Sequence, residues 1–109
     1  MPRVPIRAGE LDKRLMLLRP IYSNEFQDEI ADWEDAAMVW GAVIPSAAQE
    51  ILEGSRIVAR IQVLIVIRFR RDIDHRWRLS RAGKVYRIDG MVNPLERGER
   101  LELSCTEVV

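Results

Sequence analysis

The sequence predicts an all-β chain: a small antiparallel β-barrel or sandwich of about six strands, with one short helix and one long acidic loop. Three observations carry this. Apolar residues alternate at period two along several stretches. β-branched residues dominate the most apolar of them, 61–70. Turn residues, among them Gly83, Asn93-Pro94 and Gly98, separate the stretches at short spacing. At 109 residues the chain is one domain, 1–109, long enough to bury a single core.

The first strand is expected over 11–19. Leu11, Leu15 and Leu17 share one phase with Lys13 and Arg19, and Pro20 ends the run because proline cannot donate to a ladder. The segment 21–35 is polar and acidic, with Phe26, Ile30 and Trp33 scattered through it, and reads as a long loop. A second strand is expected over 36–44, ended by Pro45. Both its faces are apolar, so it is either central or covered by a partner. Ser46 and Gln49 then fit a capping box, and 46–53 reads as a short helix stopped by Gly54. The strongest alternation follows, with Ile61, Val63, Ile65, Ile67 and Phe69 on one face. Short strands over 76–80, 84–92 and about 101–106 complete the set, and Trp40 and Trp77 are assigned to the core. For Trp33 two readings stand: a staple of the loop onto the barrel, or an anchor for a neighbouring subunit.

Composition narrows the function. Hydrophobic residues make up 48% and charged residues 31%, a globular balance. Lys and Arg total 17, as do Asp and Glu, which excludes a global polycation but not a local basic patch. A single cysteine, Cys105, excludes an internal disulfide and a cysteine zinc cage. Prolines and arginines interrupt the first residues, so no signal peptide is read there, and 1–8 are expected to be flexible. No uncharged apolar run reaches the about 20 residues of a spanning helix, and the run 61–67 is seven residues. A soluble protein made in a cytoplasm, without a membrane partner, is expected.

Charge is segregated along the chain. Residues 21–55 hold eight acids and no Lys or Arg, whereas 68–87 hold eight bases against Asp72 and Asp74. Separated in space, such segments suit head-to-tail association into a ring. The alternative is pairing within the monomer. A third reading takes the basic 68–87 segment as the phosphate-binding surface of a small nucleic-acid-binding barrel.

Catalytic patterns are weak. His75 stands alone beside Asp72 and Asp74, and Cys105 lies on the apolar phase of the last strand, as a buried thiol does. No phosphate loop, dinucleotide fingerprint or nucleophile elbow occurs. Neither an enzyme nor a cofactor or metal site is expected.

The ordered set of segments resembles the phage head–tail joining proteins, also called head-completion or stopper proteins, of long-tailed phages. The stretch ending Leu18-Arg19-Pro20 is similar to that family's opening strand. Residues 33–45, WEDAAMVWGAVIP, match its W-x-x-x-A-x-V-W-A-x-V-x-P pattern with Gly41 in place of alanine. Residues 61–70 resemble its long Arg-ended strand, 84–94 its Y-x-I-x-G-V-x-N-P segment, and 101–107 its closing strand. The resemblance implies a small β-barrel that assembles as a ring, usually of twelve copies, below the portal and adaptor. It implies closure of the head after DNA packaging and docking of the tail. The implied partners are copies of itself, the portal-side adaptor, a tail terminator or other tail proteins, and packaged DNA passing through the channel. The implied location is the virion at the head–tail interface, with the host cytoplasm during assembly. On this reading Glu25, Asp28, Glu29, Asp32 and Trp33 project towards the channel or a neighbour, and Arg68, Arg70, Arg71 and Arg76 face a neighbour's acidic edge.

Overall fold

The computed structural model describes residues 9–108. Six strands follow in chain order: β1 (Lys13–Tyr22), β2 (Ile30–Glu53), β3 (Arg56–Arg68), β4 (Arg78–Arg81), β5 (Lys84–Val92) and β6 (Arg100–Val108). They close into a barrel in the order β1-β2-β3-β6-β5-β4, every neighbouring pair antiparallel. Closure through β1 and β4 leaves the strand order without a terminal strand. The all-β barrel is therefore as expected. The N-terminal segment expected to be flexible, 1–8, lies outside the described residues.

Alternation builds the core. Leu15 and Leu17 of β1, Val63, Ile65 and Ile67 of β3, and Leu101, Leu103 and Cys105 of β6 all point inward and are buried. Trp77, just ahead of β4, and Tyr86 and Ile88 of β5 close the same cluster. Ala82 and Gly83, both at positive φ, turn β4 into β5, a geometry that matches the twist of the flanking strands. A bulge between Ile88 and Gly90 brings Asp89 to the buried Thr106, whose hydroxyl bonds to its carboxylate.

Gly41 is the corner of the barrel. β2 pairs with β1 up to Gly41, opposite Lys13, and with β3 from Gly41 onward, opposite Ile67. The walls converge so tightly there that a Cβ would sit 2.6 Å from Leu15 Cδ1 and 2.8 Å from the Val66 carbonyl oxygen.

Three expectations are corrected. The acidic segment 21–35 is not one long loop: β1 continues through Pro20 to Tyr22, β2 begins at Ile30, and only 23–29 turns. Pro20 is tolerated because β4 pairs with β1 only from Met16 to Leu18, so at Pro20 the strand has one partner, β2. Asp32 and Trp33 are accordingly strand residues. The segment 46–53 is not a helix but the far half of β2, paired residue by residue with β3 from Ala47↔Gln62 to Glu53↔Arg56. A two-turn helix is marginal alone, whereas the β-branched partners Ile57, Val58 and Ile61 favour a ladder. Pro45 does not end the strand, since a bulge follows it and only β3 pairs there. Among the described residues the helical element is the 3-10 turn Pro94–Glu96. Thirdly, Trp40 is not in the core: it lies outside the barrel, 53% exposed.

The β2–β3 pair outruns the barrel. β6 pairs with β3 only from Gln62 to Arg68, so 46–61 form a two-stranded arm that turns at Gly54, φ 63°. The arm contributes to a molecule measuring 42 × 36 × 26 Å. Among the described residues no helix is long and apolar enough to cross a membrane.

Candidate functional site

The hairpin between β1 and β2 meets the basic segment ahead of β4 at one end of the barrel. The turn is held by the Ser23 amide donating to the Glu29 carbonyl (2.9 Å), and by Asn24 Nδ2 donating to Asp28 Oδ1 (2.5 Å). Glu25, Asp28 and Glu29 stand exposed on it, with Phe26, 78% exposed, among them. Asp32 Oδ1 accepts the Trp33 amide at 2.8 Å, a local bond that fixes the start of β2.

Arginines lie over the aromatics of this region. Arg78 Cζ is 4.5 Å from the centroid of the half-buried Trp33 ring, and Arg76 Cζ is 5.4 Å from that of Tyr22. Pairing of Leu18 with Arg78, and of Pro20 with Trp33, puts these side chains on one wall, because directly opposite residues share a face. Arg76 also donates from Nη1 to the Gln27 carbonyl (3.1 Å). Asp74 shapes the approach by accepting the Arg76 amide at 2.8 Å. Trp33 thus lies against Arg78 on the barrel wall.

Arg70 and Asp72 form a two-pronged ion pair at 3.0 and 2.8 Å. Those hydrogen bonds hold the Asp72 carboxyl below the usual carboxylate range and raise Arg70 above its ordinary value. Arg19 pairs with Glu34 at 2.8 Å and lies 5.8 Å from the buried Trp77 ring. The basic 68–87 segment approaches the acidic 21–55 segment through Arg76 at the Gln27 carbonyl and Arg78 over the Trp33 ring.

Of the expected site residues, Arg76 and Trp33 share this end with Glu25, Asp28, Glu29 and Asp32. Arg71 is exposed beside the Arg70–Asp72 pair. Arg68 belongs elsewhere: with Gly9, Leu11, Asp12 and Trp40 it lines a separate hollow, where Arg14 Cζ lies 5.2 Å from the Trp40 ring. Sequence reasoning missed Arg78, Tyr22 and Arg14 as ring partners. For Arg14 the signal was its place directly opposite Trp40 in the β1–β2 ladder, whereas Tyr22 and Arg78 become readable once β1 is carried through Pro20 beside Trp33.

The chemistry available is recognition by charge and apolar surface. Arg76 and Arg78 cover the faces of Tyr22 and Trp33, leaving those faces closed to base stacking. Cys105 is buried, and burial followed by the Asp89 carboxylate pushes its thiol up to about 12, which keeps it protonated. Among the described residues no group of three or more His, Cys, Asp and Glu is placed to hold a metal ion.

The chain is similar, at 20% identity and a TM-score of 0.76, to a chain of the virion of a native gene transfer agent particle, covering 100% of this chain and 99% of that one. It is also similar to the solution structure of protein SF1141 from Shigella flexneri 2a, at 27% identity and a TM-score of 0.66, over 94% and 96% of the two chains. No curated protein matches it. The family model of the phage head completion proteins matches residues 6–108, nearly the whole chain, and on that match this chain belongs to the phage head completion family of virion structural proteins.

Proposed function

We propose that this chain is a ring-forming part of a head–tail connector. Copies stand side by side below the portal-side adaptor, close the head after DNA packaging, and present a surface to the tail. The observation that carries this is the family match over 6–108 on a barrel whose outer wall leaves large apolar side chains open. Met38 is 54% exposed and Trp40 53%, on a strand whose opposite face fills the core. Such a surface is characteristic of association. The wall binds and positions, and carries out no reaction.

The acidic hairpin with Glu25, Asp28, Glu29 and Asp32 faces the channel or the adjacent subunit. Like charge near passing DNA limits sticking, whereas cationic walls bind phosphates. Arg68 and Arg71 face a neighbour's acids. Arg70 and Arg76, whose contacts lie within their own chain, hold that edge in shape.

The test is to image heads carrying this chain by electron microscopy and to count its copies. Several copies arranged in a ring at the portal vertex are expected, and a lone copy per particle overturns the reading. Shortening 23–29 to a tight turn is expected to yield heads that lose DNA or fail to join tails. Normal DNA retention and joining removes the role assigned to the hairpin. Steep salt-dependent binding of free DNA by the purified chain supports the nucleic-acid reading instead.

A further inference from the structure

The arm and one groove of the barrel wall complement each other, yet within one copy both stay open. On the arm, Leu52 lies opposite Ile57, Glu50 opposite Ala59, and Ala48 opposite Ile61, so these six residues share a face. Ile57, Ala59 and Ile61 continue the phase of the buried Val63, Ile65 and Ile67. The apolar face is thus the core face of β3 carried past the rim, where no other strand covers it. Leu52 and Ile57 are 69% and 71% exposed. Glu50 is the single charge on this face.

The groove lies outside β1 and β2, beside the β4–β5 turn. Met16 and Met38, opposite each other in the ladder, form its apolar floor. Arg14, Arg81 and Lys84 line it, no acid does, and its volume is about 340 Å³. Methionine adapts its shape to an incoming apolar group.

We propose that the arm of one copy seats in the Met16–Met38 groove of the next copy, with Leu52 and Ile57 on the methionines and Glu50 among Arg14, Arg81 and Lys84. The occupant is a second copy because the chain itself carries both halves: an apolar finger with one negative charge, and an apolar groove ringed by positive ones. Two different patches meeting make a head-to-tail contact, which propagates around a ring when the rotation closes. This inference rests on the ring reading and identifies the surfaces that build it.

The experiment uses particles assembled with Leu52→Cys and Met38→Cys in the same chain. Cys105 is buried and does not contribute. Mild oxidation is expected to give a ladder of cross-linked multimers from the double variant and none from either single variant. An unchanged copy number at the portal vertex with no ladder overturns the arm-in-groove contact while the ring stands. A cross-link from the Leu52→Cys arm to a different particle protein also overturns it. A single copy per particle overturns both readings. As a second measurement, Glu50→Lys is expected to lower the copies retained per particle about tenfold, and Arg81→Glu with Lys84→Glu in the same chain to restore them. Absence of rescue in a chain with wild-type circular dichroism and melting temperature refutes the pairing.

Discussion

The guanidinium of Arg78 lies 4.5 Å from the centre of the Trp33 ring, joining the strand that feeds the last hairpin to the first strand pair. Both residues belong to elements with few other partners at that end. β4 is four residues long, and the start of β2 pairs with β1 alone. Trp33→Ala and Arg78→Ala are expected to couple by about 0.5–1 kcal/mol in a double-mutant cycle measured by urea unfolding. Additive effects of the two substitutions refute a stabilising contact.

The tryptophans separate by location. Trp77 is 5% exposed, so Trp77→Ala is expected to cost about 3–5 kcal/mol. Trp40 stands outside the wall, so Trp40→Ala is expected to cost about 1 kcal/mol or less, including the lost contact with Arg14. Equal losses in thermal or denaturant unfolding contradict the two placements.

Gly41→Ala is expected to destabilise by about 1–3 kcal/mol, because its methyl meets a core leucine and a backbone carbonyl that has no free rotation to yield. Adding Leu15→Val relieves only the first of these, so a double variant as stable as Leu15→Val alone runs against the expectation.

Cys105 gives an alkaline prediction. Its thiol is raised from 9.0 to about 12, so the folded chain keeps a proton that the unfolded chain releases. Stability from this group is complete below pH ~9 and falls as pH rises towards ~12, by up to ~1.4 kcal/mol per pH unit. Unfolding free energies of the wild type and Cys105→Val are expected to converge or cross in that direction over this window, while tyrosine and lysine titration cancels between them. A constant difference from pH 8 to 11.5 contradicts the buried thiol.

The barrel was legible where alternation was strict. The phase of Val63, Ile65 and Ile67 is as expected, the strand over 84–92 has the expected bounds, and Cys105 is buried. The departures share a cause. Proline and good helix formers carry only local preferences, and pairing partners decide the outcome. Pro20 and Pro45 stand in strands because one side of each has no partner, and 46–53 is extended because β3 offers a complete ladder. Trp40 was misplaced because both faces of β2 are apolar, and periodicity alone does not tell which one a closed barrel turns inward. The stacked arginines at 76 and 78 lay inside a recognised basic run, but their partners Tyr22 and Trp33 were hidden in what read as a loop.

The two strand prolines bear on misassembly. β2 is 24 residues long, rich in apolar side chains, and flanked over much of its length by a single neighbour. A ribbon of that kind invites a foreign chain to zip onto its open border and start a fibril. Pro45 withholds an amide within that ribbon, and Pro20 does the same on the companion strand, so an intruding ladder meets a gap on each. Replacing both with alanine is expected to spare the monomer's shape and shorten the lag before thioflavin-positive aggregates form.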